Sequence, residues 1–423
     1  MNLATILCDK ARTLKSFYTL IVVVLLASQT SMGQSTPDPT IDNSSTQIDA
    51  PTKQLEEAEM NILFSYYSQD GNHSPVTGGI GTESLQDYTS TIIVNLPLNE
   101  KSKMDITAGF DFYSSASTDN IDTRISSASS SDSRIYFNVG YSRLVPDKNK
   151  SFGVMIGGSR EYDVTSLQGG LNFSKASKDN NREISLAAQA FFDTWDLIYP
   201  IELRNQGALL NTNIRQSYNL SATYSQVINK RMQIAFNPEV TYQTGLLSTP
   251  FHRVYFLEQQ QAKIEQLPDT RLKIPLGLRI NYYLSDKILL RSYYRYYSDD
   301  WGITGHTASL EIPFKINRFF SIYPHYRYYT QTAADYFKPY KEHSLSDTFY
   351  TSDYDLSAFS SQQYGVGVHY SPLNGIGRMK MLKLGKKPAN ILLFKSIDLR
   401  GTLYDRSDGL KAWLISLDMG FTF

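Results

Sequence analysis

Trp413, Ile415, Leu417, Met419, Phe421 and Phe423 fall on every second position of the chain's end, and the alternate positions include Ala412, Ser416, Asp418, Gly420 and Thr422. In an extended backbone successive side chains point to opposite faces, so this segment reads as a strand with one unbroken apolar face. Such a strand needs oil on one side only. A soluble sandwich could supply that for one strand, but the same pattern recurs along most of the sequence.

The clearest further rows are Ile92, Val94, Leu96, Leu98; Ile106, Ala108, Phe110, Phe112; Ile135, Phe137, Val139, Tyr141; Ile184, Leu186, Ala188, Ala190, Phe192; and Leu272, Ile274, Leu276, Leu278, Ile280. Their interleaved partners are mostly Asp, Asn, Gln, Thr, Gly, Arg or Glu. From Met60 onward about sixteen such segments are legible, each near the ~9–11 residues with which a tilted strand crosses a bilayer. The fold class expected is all-β, a transmembrane antiparallel up-and-down β-barrel with long extracellular loops and short periplasmic turns.

The amino terminus points to export. Lys10, Arg12 and Lys15 precede an apolar run from Phe17 to Ala27, and small polar residues follow up to Ser31-Met32-Gly33-Gln34. These are the three regions of a cleaved secretion signal, with cleavage expected near Gly33. The apolar run is too short for a membrane helix, which takes about 20 residues. Cys8 lies before it, so the mature chain is expected to carry no cysteine, which excludes disulfides and thiol chemistry. The organisation predicted is a signal peptide over 1–33, a disordered periplasmic leader rich in Ser, Thr, Pro and Asp over 34–59, and a barrel over 60–423.

Composition agrees. Lys+Arg 41 balances Asp+Glu 41, so no basic footprint argues for nucleic acid. The chain is polar on average yet holds Tyr 30 and Phe 21, as a wall with an apolar outside, aromatic girdles and a wet interior requires.

Loop lengths carry a separate signal. Short turns fall at Asn99–Ser102, Asn229–Lys230, Ser285–Lys287 and Asn317–Arg318, and long connections at Gln69–Gln86, Ser114–Asp132, Thr194–Arg215, Gly245–Pro268 and Thr332–Ala358. Short turns belong on the periplasmic side and long loops outside. With both ends of the barrel periplasmic the strand number must be even, as sixteen is. Ser371–Phe394 is the exception, a long periplasmic connection with Arg378, Lys380, Lys383, Lys386 and Lys387. It reads as a solvated basic turn or as a docking site for a periplasmic partner. Pro97, Pro238, Pro275, Pro313 and Pro324 fall inside predicted strands, where each must mark a strand end or a bulge.

The alternation predicts which charges face the lumen. Arg271, Lys273, Arg279, Arg291, Arg295, His325, Arg327 and Arg400 come from the later strands, and Asp105, Asp111, Glu183 and Glu239 from the earlier ones. Interior charges pair and hydrate in any wet barrel, but this segregation would also set a field across a pore. Two acidic stretches are expected at the mouth. One carries Asp119, Asp122 and Asp132 among serines, and the other carries Asp353 and Asp355. The first does not have the spacing of an EF-hand loop; an ordered hydrogen-bonded loop is the simpler expectation, with oxygen coordination of a cation the alternative.

The serine-rich stretch Ser114-Ser-Ala-Ser-Thr-Asp119, with Tyr326-Arg-Tyr-Tyr-Thr-Gln331 and Gly365-Val-Gly-Val-His-Tyr-Ser-Pro372, resembles an uncharacterised outer-membrane family, domain of unknown function 3570, common in Bacteroidota. The resemblance covers roughly Met60 to Phe423 and implies an outer-membrane location and a barrel, with no catalytic residue. The sequence itself holds no Gly-x-Ser-x-Gly element, P-loop, His-Glu-x-x-His or Cys/His cluster, so neither an enzyme nor a cofactor or metal is expected. The expected partners are outer-membrane lipid and the barrel assembly machinery, reached through the strand ending at Phe423. The function expected is porin-like passage or uptake of a small polar or anionic solute. The second reading is a non-transporting barrel that anchors a periplasmic or surface-lipoprotein complex.

Overall fold

The structure is a computed structural model that describes residues 57–116, 131–146, 149–204, 210–380 and 391–423. Among these residues the chain forms sixteen barrel strands in simple order, each pairing antiparallel with the next. They are β1 Glu59–Asp70, β2 Ser84–Asn99, β3 Ser102–Ala116, β4 Ser131–Val145, β5 Lys150–Arg160, β6 Val164–Ala176, β7 Arg182–Asp196 and β8 Thr212–Asn229. There follow β9 Met232–Gly245, β10 Thr270–Tyr283, β11 Leu289–Asp299, β12 in two pieces (Thr304–Glu311 and Phe314–Lys315) and β13 Phe320–Gln331. β14 is also in two pieces, Phe359–Tyr370 and Gly377–Lys380, before β15 Ile391–Arg406 and β16 Lys411–Thr422.

The sheet closes where β1 pairs with β16, from Glu59 opposite Thr422 to Asp70 opposite Lys411. Closure gives the first and last strands backbone partners within the wall, as a structure in lipid demands. Near this seam Met60, Ile92, Val94, Leu96, Leu392 and Phe421 pack into an apolar cluster, with Phe423 against it.

Side chains sort by parity. Leu167 opposes Phe192, Ile156 opposes Val139 and Leu278 opposes Phe236, so each apolar row lies beside the next across the ladders. Ile156, Leu167 and Leu171 are 67%, 63% and 64% exposed, which suits a wall facing hydrocarbon and would be costly in water. The other face carries the polar residues and is the lumen side.

The prolines in the strands act in pairs. Pro238 of β9 faces Leu276, next to Pro275 of β10, and the ladder between these strands lapses between the pairs Lys273–Thr241 and Leu276–Pro238. Pro313 sits in the break of β12, and Ile312 beside it donates its N–H to the Pro324 carbonyl of β13. Each pair puts two missing backbone donors at one place, so one interruption serves both strands. Pro97 lies at a register shift between Pro97 and Asn99.

One connection departs from the sequence reading. Within Ser371–Phe394, Gly377–Lys380 pairs with Ile391–Phe394, so Arg378 and Lys380 lie on a strand rather than in a turn. Lys383, Lys386 and Lys387 lie outside the described residues.

Candidate functional site

The register brings the predicted lumen cations onto one arc of wall. Across β10, β11, β12 and β13 one inward row reads Arg279, Tyr293, Ser309, Arg327; the row on one side of it reads Gly277, Arg295, Thr307, Tyr329; and the row on the other reads Asn281, Arg291, Glu311, His325. Arg400 of β15 lies further round, opposite Gly367 of β14. There Tyr323 fills the space of the absent side chain, since a Cβ at Gly367 would lie 1.9 Å from the Tyr323 ring.

These cations divide into paired and free. Glu311 takes Arg291 Nη1 at 2.8 Å on one oxygen and Arg400 Nη2 at 3.0 Å on the other. Arg271 Nη2 meets Asp299 at 2.5 Å and its guanidinium lies 4.2 Å from the centre of the Trp301 ring. His325 shares a 3.2 Å contact with the Thr402 hydroxyl, a hydrogen-bonded wall residue. Arg279, Arg295 and Arg327 make no ion pair among the described residues, although Arg279 lies over the Tyr293 ring at 5.8 Å.

The predicted acids are more scattered. Asp111 of β3 opposes Arg134, and Asp105 opposes Gly140. Glu183 is on β7, opposite Ala176. Glu239 accepts from Asn219 Nδ2 at 2.5 Å and sits on β9, next to the basic arc rather than across from it.

The long outside loops are not solvated strings. Numbering them in chain order, L1 joins β1 to β2, L4 joins β7 to β8, L5 joins β9 to β10, L6 joins β11 to β12, L7 joins β13 to β14, and L8 joins β15 to β16. Phe256 of L5 bridges His343 of L7, and Gln266 bridges Tyr350 with backbone bonds of 3.1 and 2.7 Å. Val254, Phe256 and Tyr350 form a small core, and Val76, Ile198 and Phe251 form a second that joins L1, L4 and L5. His73 of L1 stacks on Tyr354 of L7 with ring centres 3.8 Å apart. Gly79 belongs here by necessity, because its φ is +87° and a Cβ would lie 2.7 Å from the Ser352 carbonyl of L7. The result is a folded cap over the mouth.

Beneath the cap lies a cavity of about 340 Å³ lined by Tyr67, Gln69, Glu83, Asp355, Tyr404 and Arg406, among others. Asp355 of L7 pairs with Arg406 Nη1 at 2.5 Å, and Arg406 also holds Asp408 of L8. Burial and the nearby Asp355 push the Glu83 carboxyl up to about 7.

Among the described residues Asp132 and Asp353 fall in separate clusters. Asp119 and Asp122 lie outside the described residues. Asp132 accepts from the backbone N–H of Ser133 at 2.6 Å and of Tyr162 at 3.3 Å, and it clusters with Glu161 and Asp163. Asp353 caps the short helix Tyr354–Leu356 through the Asp355 N–H and faces His252 and Glu265. Sequence reasoning gave His252 and Glu265 no site and Arg253 no role. The signal was present in Phe251-His-Arg-Val-Tyr-Phe256, which is too apolar for a solvated loop.

Comparison with known proteins adds a family and a set of likenesses. A model of the family described as "Protein of unknown function (DUF3570)" matches residues 24–381. No curated protein matches. Among solved structures, a bacterial polysaccharide outer membrane secretin is similar at 12% identity and a TM-score of 0.47, over 88% of this chain and 100% of that one. The siderophore receptor PirA from Pseudomonas aeruginosa is similar at 11% identity and a TM-score of 0.39, over 87% and 81%. A FadL homologue from Pseudomonas aeruginosa gives 10% identity and a TM-score of 0.39, over 87% and 91%.

Proposed function

We propose that this chain, which belongs to the DUF3570 family, spans a bacterial outer membrane and passes a small anionic or polar solute through its lumen, with the cap setting access. The observation that carries the reading is the set of guanidinium groups on Arg279, Arg295 and Arg327, inward and without carboxylate partners among the described residues. Charges that only shape a wall are expected to pair, as Arg291 and Arg271 do. Unpaired ones on a low-dielectric wall focus a positive potential into the lumen. A barrel of sixteen strands is wide enough to hold water along its axis.

The test is reversal potential in planar bilayers under a salt gradient. The wild-type protein is expected to favour anions, and Arg279→Gln, Arg295→Gln and Arg327→Gln together should remove the preference. The preference should also fade as salt rises, since screening shortens to about 10 Å at 0.1 M. Conductance that ignores all three substitutions would refute the charge assignment. Silence in both the wild type and a variant with its cap unlatched would refute passage and favour a barrel that anchors a periplasmic or surface-lipoprotein complex.

A further inference from the structure

We propose that His252, Glu265 and Asp353 bind one divalent transition-metal cation of the zinc type and so clasp L5 to L7 over the mouth. His252 Nδ1 lies 3.4 Å from Glu265 Oε1 and 4.0 Å from Asp353 Oδ2. All three ligand atoms lie within 4.8 Å of one another. A charge-assisted hydrogen bond would draw such partners to about 2.7–2.9 Å. Donors sharing an ion sit further apart: atoms about 2.1 Å from a tetrahedral zinc are separated by about 3.4 Å.

Backbone donors hold the outer oxygens of the two carboxylates, which turns Glu265 Oε1 and Asp353 Oδ2 toward His252. Glu265 Oε2 accepts the Thr249 N–H at 2.6 Å, and Asp353 Oδ1 accepts the Asp355 N–H at 2.9 Å. The Thr351 hydroxyl donates to Glu265 Oε1 at 2.5 Å and accepts the Asp353 N–H at 3.0 Å, so one side chain holds the Glu265 carboxylate and the backbone of Asp353 together. Outer partners of this kind fix ligand orientation in metal sites.

The donor set selects the ion. One imidazole nitrogen with two carboxylate oxygens suits zinc, whose sites often have three protein ligands and a water. Calcium asks for six to eight oxygens, which a histidine site does not offer. A cation here would offset carboxylates crowded into one buried place. Glu265 is enclosed, with a side chain only 2% exposed, so it cannot be neutralised by bulk solvent.

The full-length protein, folded in detergent and purified without a polyhistidine tag, should be titrated with zinc chloride by calorimetry after chelator treatment. One zinc per barrel is expected. His252→Ala and Asp353→Asn should each weaken binding at least tenfold, in line with loss of a ligand, while heat-modifiable migration on gels stays that of the wild type. Asp132→Asn, in the separate acidic cluster, should leave the affinity unchanged. Zinc should also slow protease cleavage within L5 in the wild type and not in Asp353→Asn. Absence of stoichiometric binding, or wild-type affinity in both His252→Ala and Asp353→Asn, would overturn the proposal and leave a histidine held between two acids by its own proton. Because these readouts involve no conductance, they stand or fall apart from the solute-passage reading.

Discussion

Arg253 grips Glu202 with two nitrogens, Nε to Oε1 at 2.5 Å and Nη2 to Oε2 at 3.1 Å, and its third nitrogen donates to the Val76 carbonyl at 2.7 Å. One buried guanidinium in L5 therefore ties down both L4 and L1. Its planar fork is suited to this, because it satisfies a carboxylate and a carbonyl without changing rotamer.

Replacing Arg253 with Met should keep the apolar packing of the stem and unlatch the cap. Hydrogen bonds to charged groups contribute about 1.5–3 kcal/mol, and the 41% exposure of the Glu202 side chain puts the loss at the lower end. Limited proteolysis of the folded barrel should cut L4 and L5 faster, with larger unit conductance in bilayers. Unchanged cleavage would mean that the two small apolar cores hold the cap alone.

Deleting Phe423 should weaken closure. Its N–H donates to the Ala58 carbonyl at 3.0 Å and its carbonyl accepts the Ala58 N–H at 3.2 Å, so the last pair of seam bonds goes with it. Outer-membrane levels and heat-modifiable mobility are expected to fall in cells. Normal yields of the shortened chain would show that the seam needs neither contact.

Arginine at Leu278 should face hydrocarbon and cost roughly 2–4 kcal/mol near the midplane. Arginine at Asn281, on the lumen side of the same strand, should be tolerated. Gly277 is a poor control, since a Cβ there would lie 2.8 Å from the Tyr293 hydroxyl. Refolding yields into lipid vesicles give the comparison, and equal losses at Leu278 and Asn281 would invert the assigned faces.

The cap should loosen as pH rises toward neutrality. In the folded protein Glu83 holds its proton up to about 7, against 4.5 as a free side chain. Its contribution to stability is thus fully present below the free value and is lost as pH rises through the folded one. Protease protection of L1 should fall between about pH 4.5 and about pH 7 and level off above that, and Glu83→Gln should flatten that change. Persistence of the full change in Glu83→Gln would assign it to another group.

The wall was legible in the sequence because membrane strands obey a local rule. Leu272, Ile274, Leu276, Leu278 and Ile280 announce their own face, and loop lengths fix which end is which. Pro238 and Pro275 read as separate defects, because only register shows that they share one lapse in the ladder. The split between paired Arg291 and unpaired Arg295 was hidden too, since both alternate inward and only Glu311 across the ladder distinguishes them. The cap was missed for a related reason. Phe256 and His343, or Glu265 and Thr351, are far apart in the chain and follow no period, so nothing local foretells their meeting.

Every strand but one pairs with the strand just before it in the chain, and this has a kinetic consequence. Hairpins from β1 to β16 zip by short-range search, each paying little loop entropy. The joining of Glu59–Asp70 to Lys411–Thr422 instead brings together the far ends of the barrel. For a still unstructured chain of this length the logarithmic law of loop closure makes that contact cost about 5 kcal/mol more than closing a minimal loop, so the hairpins between must form first. An unclosed intermediate would expose the β1 and β16 edges to other chains, so the last rung to form is also the one at which a slow barrel would aggregate.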